Sequence, residues 1–181
     1  QQLRQAWLFQ RPELLQQAEL VARAMEQHLA ASSGRAASLP GPEVATALQD
    51  ALAQRFDPEW GGFGRAPKFP SPANLFFLLE RAADEEARGM LLHTLDRMAR
   101  GGLMDQLAGG FHRYSTDEAW LVPHFEKMLY DNASLARLYA EASALAPGQG
   151  MDEAAHRTLE FVLWEMTGPE GGFWSAIDAE T

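Results

Sequence analysis

Between Ala108 and Ala133 the chain reads AGGFHRYSTDEAWLVPHFEKMLYDNA. His112, Arg113, Tyr114, Trp120, His124, Glu126, Lys127, Tyr130 and Asp131 crowd into this one segment. A pair of histidines, or a histidine with a carboxylate, is the usual equipment for moving protons near neutral pH. His112, His124 and Glu126 are therefore the acid–base candidates. Arg113 is suited to holding a carboxylate or polarising an oxygen through its planar fork of donors. Tyr114, Trp120 and Trp174 offer flat faces on which a sugar ring could lie.

Pro123 predicts the start of a helix running to about Ala144. On that helix His124, Lys127 and Asp131 share one face, and Glu126 and Tyr130 share another. Phe125, Met128, Leu129, Leu135 and Leu138 read as its buried side. The first turn then points backbone N–H groups and Glu126 toward the same end as GGFHRYS. His112, Arg113, Tyr114, His124 and Glu126 are expected to converge on one pocket. For each residue taken alone there is a plain structural alternative. Lys127 and Asp131 could be a surface ion pair, Glu126 a cap, and the histidines partners of loop backbone.

Two further carboxylates are secondary candidates. Asp105, in GGLMDQLAGGF, precedes the segment, and Asp178 lies in GGFWSAIDAE. Carboxylates on several loops are what a glycosidase uses as acid and base across a sugar bond. Arg65 and Lys68, in GGFGRAPK, precede a helix, yet lack the Lys-Ser/Thr of a phosphate-binding loop. They read as pocket-lining residues. His112, His124 and Glu126 show no zinc-site spacing, so no metal and no other cofactor is predicted.

The elements that must position these residues are helical. Apolar residues at spacings of three and four, opened by Pro or a capping residue and closed by Gly, predict six helices. They are RPELLQQAELVARAMEQHLA, PEVATALQDALAQRF, SPANLFFLLERAA, EEARGMLLHTLDRMARGG, the helix from Pro123, and MDEAAHRTLEFVLWEMTG. Val44, Leu48, Ala51 and Leu52 form the expected inner face of the second. Ser71 and Asp152 are expected N-caps. SSGRAASLPGP, from Ser32 to Pro42, is a turn-rich connector. GGFHRYS and GGFWSAI could be extended, without partners enough for a sheet.

The triplet Gly-Gly-Phe punctuates the helices three times, at Gly61, Gly109 and Gly171, each time where a helix ends. A period of roughly fifty residues fits one helical hairpin per repeat. The expected architecture is three hairpins whose GGF loops share one end. Glycine permits the positive φ and close backbone approach of such a loop.

Bulk properties narrow the function classes. The chain has 181 residues, 46% hydrophobic and 22% charged, within the range of an ordinary globular domain. Its net charge of −10 argues against nucleic acid and anionic membranes as partners. It has no cysteine, which excludes thiol nucleophiles and disulfides within it and is compatible with a reducing cytoplasm. No run is long enough to span a membrane. The chain starts without Met, and it reads as a piece of something longer.

GGFGRAPKFPSP, GGLMDQLAGGFHRYSTDEAWLVPHFEKMLYDNASL and GGFWSAIDAE resemble the helical part of large thioredoxin-domain-containing proteins related to the spermatogenesis-associated thioredoxin-like protein. The resemblance covers residues 55–181, with residues 1–54 as lead-in helices. It implies an all-α fold: antiparallel hairpins forming about half of an (α/α)6 toroid of the six-hairpin glycosidase type, similar to N-acylglucosamine and cellobiose 2-epimerases. It also implies a thioredoxin-like domain upstream. DAET departs from the Asp-Ala-Asp expected there, at Glu180.

Three functions remain open at this point. One is a carbohydrate-active domain with epimerase-like acid–base chemistry. Another is a non-catalytic ligand-binding or interaction module serving the thioredoxin-like domain. The third is a purely structural helical repeat. Half a toroid exposes apolar helix faces, so the fragment is also expected to self-associate.

Overall fold

The structure is a computed structural model that describes residues 7, 9–32 and 41–180. Its helices are α1 (Arg11–Ser32), α2 (Glu43–Ala53), α3 (Pro72–Glu80), α4 (Glu85–Arg100), α5 (Leu129–Ser143) and α6 (Met151–Glu165). The chain divides into two units, one up to Val44 and one from Ala45 onward. The first contains α1, along which Val21, Met25 and Leu29 are exposed. Residues 33–40 of the expected connector lie outside the described residues.

In the second unit, α3 and α4 form one antiparallel hairpin and α5 and α6 another. The hairpins lie side by side, α3 on α5 and α4 on α6. The apolar spacing of α4 explains its place. Ala87, Met90, Leu91, Leu95 and Met98 recur every three or four residues, and all are buried. Asp84 caps its start by accepting from Ala87 N at 2.9 Å, and Gly101 ends it. Leu75 and Leu78 of α3 and Leu135, Leu138 and Tyr139 of α5 complete the core. Tyr139 stays satisfied there by donating its hydroxyl to Leu95 O at 2.7 Å.

Some helical expectations need correction. On α2, Leu52 is buried, but Val44, Leu48 and Ala51 are exposed. The side facing inward is instead that of Gln49, which donates to Asp84 and accepts from Arg81. Ser71 does occupy the N-cap of α3, in a left-handed conformation and without a side-chain cap bond. The N-cap of α6 is Gly150, with Asp152 inside the first turn.

The largest departure is α5. It begins at Leu129, not at Pro123. Residues 123–128 are extended and supply two short strands, β2 (Pro123–His124) and β3 (Lys127–Met128). β2 pairs antiparallel with β1 (Tyr114–Ser115), with Tyr114 opposite His124. β3 pairs with β4 (Ala176–Ile177), with Lys127 opposite Ile177. GGFHRYS and GGFWSAI thus find partners in the very residues expected to be helix. Lys68 and Ser115 also exchange backbone bonds, at 2.8 and 2.9 Å. The three GGF loops are therefore linked in series at one end of the hairpins.

Candidate functional site

The first two GGF loops are built alike. Asp57 and Asp105 each stand four residues before the first glycine of their loop. Each backbone N–H donates to the carbonyl of the second glycine, and each backbone carbonyl accepts from the N–H of the first. Each Oδ1 accepts from two N–H groups in the turn, those of Glu59 and Trp60 or of Leu107 and Ala108. A buried lysine then closes the loop. Lys68 binds Asp57 and the carbonyls of Gly61 and Glu118. Lys127 binds Asp105 at 2.8 Å and the carbonyl of Gly109 at 2.9 Å.

The glycines are required by close approach. Gly62 and Gly110 have φ of +79° and +73°. A Cβ on Gly62 would lie 2.6 Å from the Trp120 ring, and one on Gly110 would enter the ring of Phe161. Asn132 adds a clamp on the second loop, accepting from Phe111 N at 2.6 Å and donating to Phe111 O at 3.0 Å. The third loop repeats only the outline. Thr167 stands four residues before its first glycine, Gly168 makes the backbone bonds that the aspartates make in the other loops, and Gly171 has nothing within 4 Å of its missing Cβ.

This geometry reassigns four of the candidates. Lys68 and Lys127 are buried and committed to loop aspartates and carbonyls, so they hold the loops rather than line a pocket. Lys127 pairs with Asp105 across the loop, not with Asp131 one helical turn on. Burial alone would raise the Asp105 carboxyl, but hydrogen bonds from Lys127, Ala108 and Leu107 pull it down to about 2. An acid that has lost its proton so completely is a poor donor at neutral pH. Trp120 is fully buried at φ +63°, its indole N–H donating to Trp60 O at 2.8 Å. It packs on the first loop and offers no face to a ligand.

The remaining central residues meet in pairs, through backbone pairing rather than along a helix. Arg113 N donates to Glu126 O at 2.8 Å, and the Arg113 guanidinium donates to the Glu126 carboxylate at 2.7 Å. That hydrogen bond, with the charge behind it, raises the Arg113 pKa further. Tyr114 is sandwiched between Phe69 and His124, at ring-centroid distances of 4.9 and 4.8 Å. His124 Nδ1 is buried without a hydrogen-bond partner among the described residues. Tyr130 is exposed and interacts with Arg113.

His112 is the group best prepared for chemistry. It is buried, and its Nδ1 lies 3.1 Å from the carbonyl of Phe125. A carbonyl only accepts, so Nδ1 carries the hydrogen. Burial, then the nearby Lys127 charge, lower its pKa and favour the neutral ring. Neutral and protonated at Nδ1, the ring keeps a lone pair on Nε2. That is the form of a general base.

Asp131, expected on one helix face with His124 and Lys127, is buried in the first turn of α5. Burial, opposed by Arg113 and reinforced by Glu126, raises its carboxyl to about 6. No spacing rule reveals this, because it follows from α5 starting six residues late. Around these groups Phe69, Leu121, Val122, Phe125 and Tyr130 are exposed. Phe125, expected in the core, is 61% exposed and meets His112 edge-on at 5.2 Å.

Arg65 and Trp174 are also exposed, and Asp178 is exposed in the third loop just after β4. Arg65 and Trp174 have no described contact with the His112–Arg113–Glu126 group. A separate cleft of about 440 Å³, lined by Asp96, Arg100, Gln106, Glu153 and Arg157 among others, shares no residue with it. Among the described residues no group of three or more His, Asp or Glu could hold a metal ion. Nor is any described helix long and apolar enough to cross a membrane.

No protein-family model matches the chain. It is 40% identical to human spermatogenesis-associated protein 20 over 99% of its own length, which is 24% of the human protein. It is 43% identical to the rat protein of the same name over 72% of its length, 17% of the rat protein. The chain thus spans about a quarter or less of these relatives. In three dimensions it is similar to a sugar epimerase from a ruminal bacterium, with a TM-score of 0.64 and 15% identity. That match covers 74% of this chain and 38% of the other. It is similar as well to cellobiose 2-epimerase from Bacillus thermoamylovorans, with a TM-score of 0.62 and 12% identity, over 77% of this chain and 42% of the other. At such identities the likeness shows the fold alone, the all-α hairpin architecture of (α/α)6 toroids.

Proposed function

Because the chain is a homologue of spermatogenesis-associated protein 20 built on the fold of sugar epimerases, we propose that it is part of a carbohydrate-active domain with epimerase- or isomerase-like acid–base chemistry. What supports this reading is the His112 contact with the Phe125 carbonyl, the Arg113–Glu126 pair and the Tyr114–His124 stack, beside exposed aromatic residues. Epimerisation removes a proton from a carbon beside a carbonyl and returns it to the other face. In this reading His112 takes the proton, His124 is the second imidazole, and Arg113, held by Glu126, orients a substrate oxygen. Phe69, Phe125 and Tyr130, all exposed, give the ring a surface to lie on. Arg65, Trp174 and Asp178 are outer contacts, should the sugar extend beyond one ring.

The wider assignments belong to the same proposal. The chain would be one partial toroid domain within a longer cytoplasmic protein, with a thioredoxin-like domain upstream as its partner. Nucleic acid and membranes are not expected as partners of so acidic a segment. One observation favours a second reading, a non-catalytic module that binds a ligand or docks that domain: Glu126 and Asp105, both candidate acids, are paired with cations.

The two readings separate in one assay. Full-length protein is offered a panel of glucose- and mannose-type sugars and scored for epimer formation. His112→Ala is expected to lower turnover roughly 10²–10⁴-fold. If His112→Ala and His124→Ala both leave turnover unchanged, the catalytic assignment is wrong.

A further inference from the structure

The third GGF loop closes like the other two and, unlike them, is left uncovered. An isolated backbone pairing shuts each loop, Phe56 with Phe63, Met104 with Phe111 and Thr167 with Phe173. The first loop is seated on α4, where Gly62 N–H donates to Thr94 Oγ1 at 2.9 Å, and the Trp120 ring lies against Gly62. The second is held to α6 by Arg157, which donates to the carbonyls of Asp105 and Gln106, and the Phe161 ring lies against Gly110. Each cover is a helix and an aromatic ring, and each stands later in the chain than the loop it seals.

Apart from its chain neighbours, no described atom lies within 4 Å of the Cβ position of Gly172. Phe173 and Trp174 are 52% and 56% exposed, whereas Phe111, the counterpart of Phe173, is fully buried and stacks on Tyr139 at 5.2 Å. The two exposed rings, with Gly168, Pro169, Glu170 and Gly172, line a cavity of about 400 Å³. On α6, the helix that leads into this loop, Leu159 and Leu163 stand one turn apart and are exposed too. A repeat that ends an array presents a polar outer face, and one inside the array presents an apolar face to its neighbour. The third loop is of the second kind.

Resting on the partial-toroid part of the reading above and not on its chemistry, we propose that the third GGF loop is the seat of a further helical hairpin, supplied by the polypeptide that follows Thr181 in the full-length protein. The second helix of that hairpin lies on the loop, as α4 and α6 lie on theirs, and an aromatic ring of the same polypeptide fills the cavity beside Gly172. The order of the chain favours this occupant over an upstream domain or a second molecule, because both covered loops are covered from later in the chain. The relatives have the length for it: this chain matches 24% of the human protein, and the two epimerases are matched over 38% and 42% of theirs. With Thr167 in place of Asp57 and Asp105, the loop has no carboxylate at that position for a lysine to clasp, so what it takes is apolar.

The test uses full-length protein with two readouts. In the first, p-benzoylphenylalanine replaces Phe173, and the products of irradiation are mapped by mass spectrometry. Crosslinks within one molecule to residues after Thr181 are expected. Crosslinks to residues before Gln1, or to a second molecule, overturn the occupant and leave the hairpins of this segment untouched. Crosslinks confined to this segment overturn the seat itself.

The second readout is the unfolding midpoint of Gly172→Leu. Gly172 lies outside the positive-φ region, so a side chain strains no backbone, and among the described residues it meets open space. With the seat filled, the variant is expected to unfold at least about 2 °C below wild type, because the new side chain overpacks the cavity. An unchanged midpoint overturns the seat. Sugar turnover enters neither readout, so failure of the catalytic reading is told apart from failure of this one.

Discussion

Lys127 and Arg113 are cations of the same segment, bonded to carboxylates at 2.8 and 2.7 Å, yet their surroundings differ in kind. Lys127 is buried, bonded also to a loop carbonyl, and lies 4.2 Å from the centroid of the Phe161 ring. Its partner Asp105 is bound by two further N–H groups. Arg113 is partly exposed, and near its partner Glu126 stands a second carboxyl, Asp131, which accepts no hydrogen bond from a described residue. The first arrangement is complete in itself. The second reaches solvent, and its charged groups are the ones a ligand could meet. The density of charged residues in this loop therefore does not mark the site. What separates the two pairs is which charges reach solvent.

The comparison is easiest to break at Lys127. Lys127→Met leaves Asp105 and the Gly109 carbonyl without their cation. It is expected to destabilise by about 3–5 kcal/mol, the usual result of removing one partner of a buried pair. Thermal unfolding of the full-length protein checks this. Arg113→Gln, at a partly exposed pair, is expected to leave stability nearly unchanged while weakening any sugar binding. Equal destabilisation by the two variants would erase the distinction.

Glycines sharpen the contrast between the second loop and the third. Gly110→Ala places a methyl group in the Phe161 ring at a backbone φ of +73° and is expected to cost about 2–4 kcal/mol. Gly171→Ala meets open space at φ +82° and is expected to cost only about 1–2 kcal/mol. A smaller effect is expected in acid. Asp105, held at about 2, contributes stability above its unfolded pKa of about 4, and that stability is lost as pH falls through 2. Asp105→Asn is expected to be less stable than wild type at neutral pH, with the gap closing between about pH 4 and pH 2. Unfolding midpoints across that range measure it.

Much of this was legible in the residues. The apolar spacing of Met90, Leu91, Leu95 and Met98 marks α4, and the GGF repeat marks the loops. The start of α5 was not legible, because Pro123 opens helices as readily as it enters an edge strand. Strands of two residues carry no periodicity to read, so the Tyr114–His124 pairing is settled by tertiary contact. The lysine clasps were half visible. The aspartate four residues before GGF is repeated, but Lys68 and Lys127 follow their loops at different distances, and no fixed spacing links them. The burial of Asp131 came only with the register of α5.

The most direct test of the central claim is hydrogen exchange on the sugar itself. Full-length protein is incubated in D2O with glucose- and mannose-type sugars, and the hydrogen on the carbon beside the carbonyl is followed by proton NMR. The account predicts that deuterium replaces it in at least one epimer pair, and that His112→Ala reduces the rate roughly 10²–10⁴-fold. Exchange that proceeds equally well in His112→Ala, or no exchange with any sugar, would contradict it.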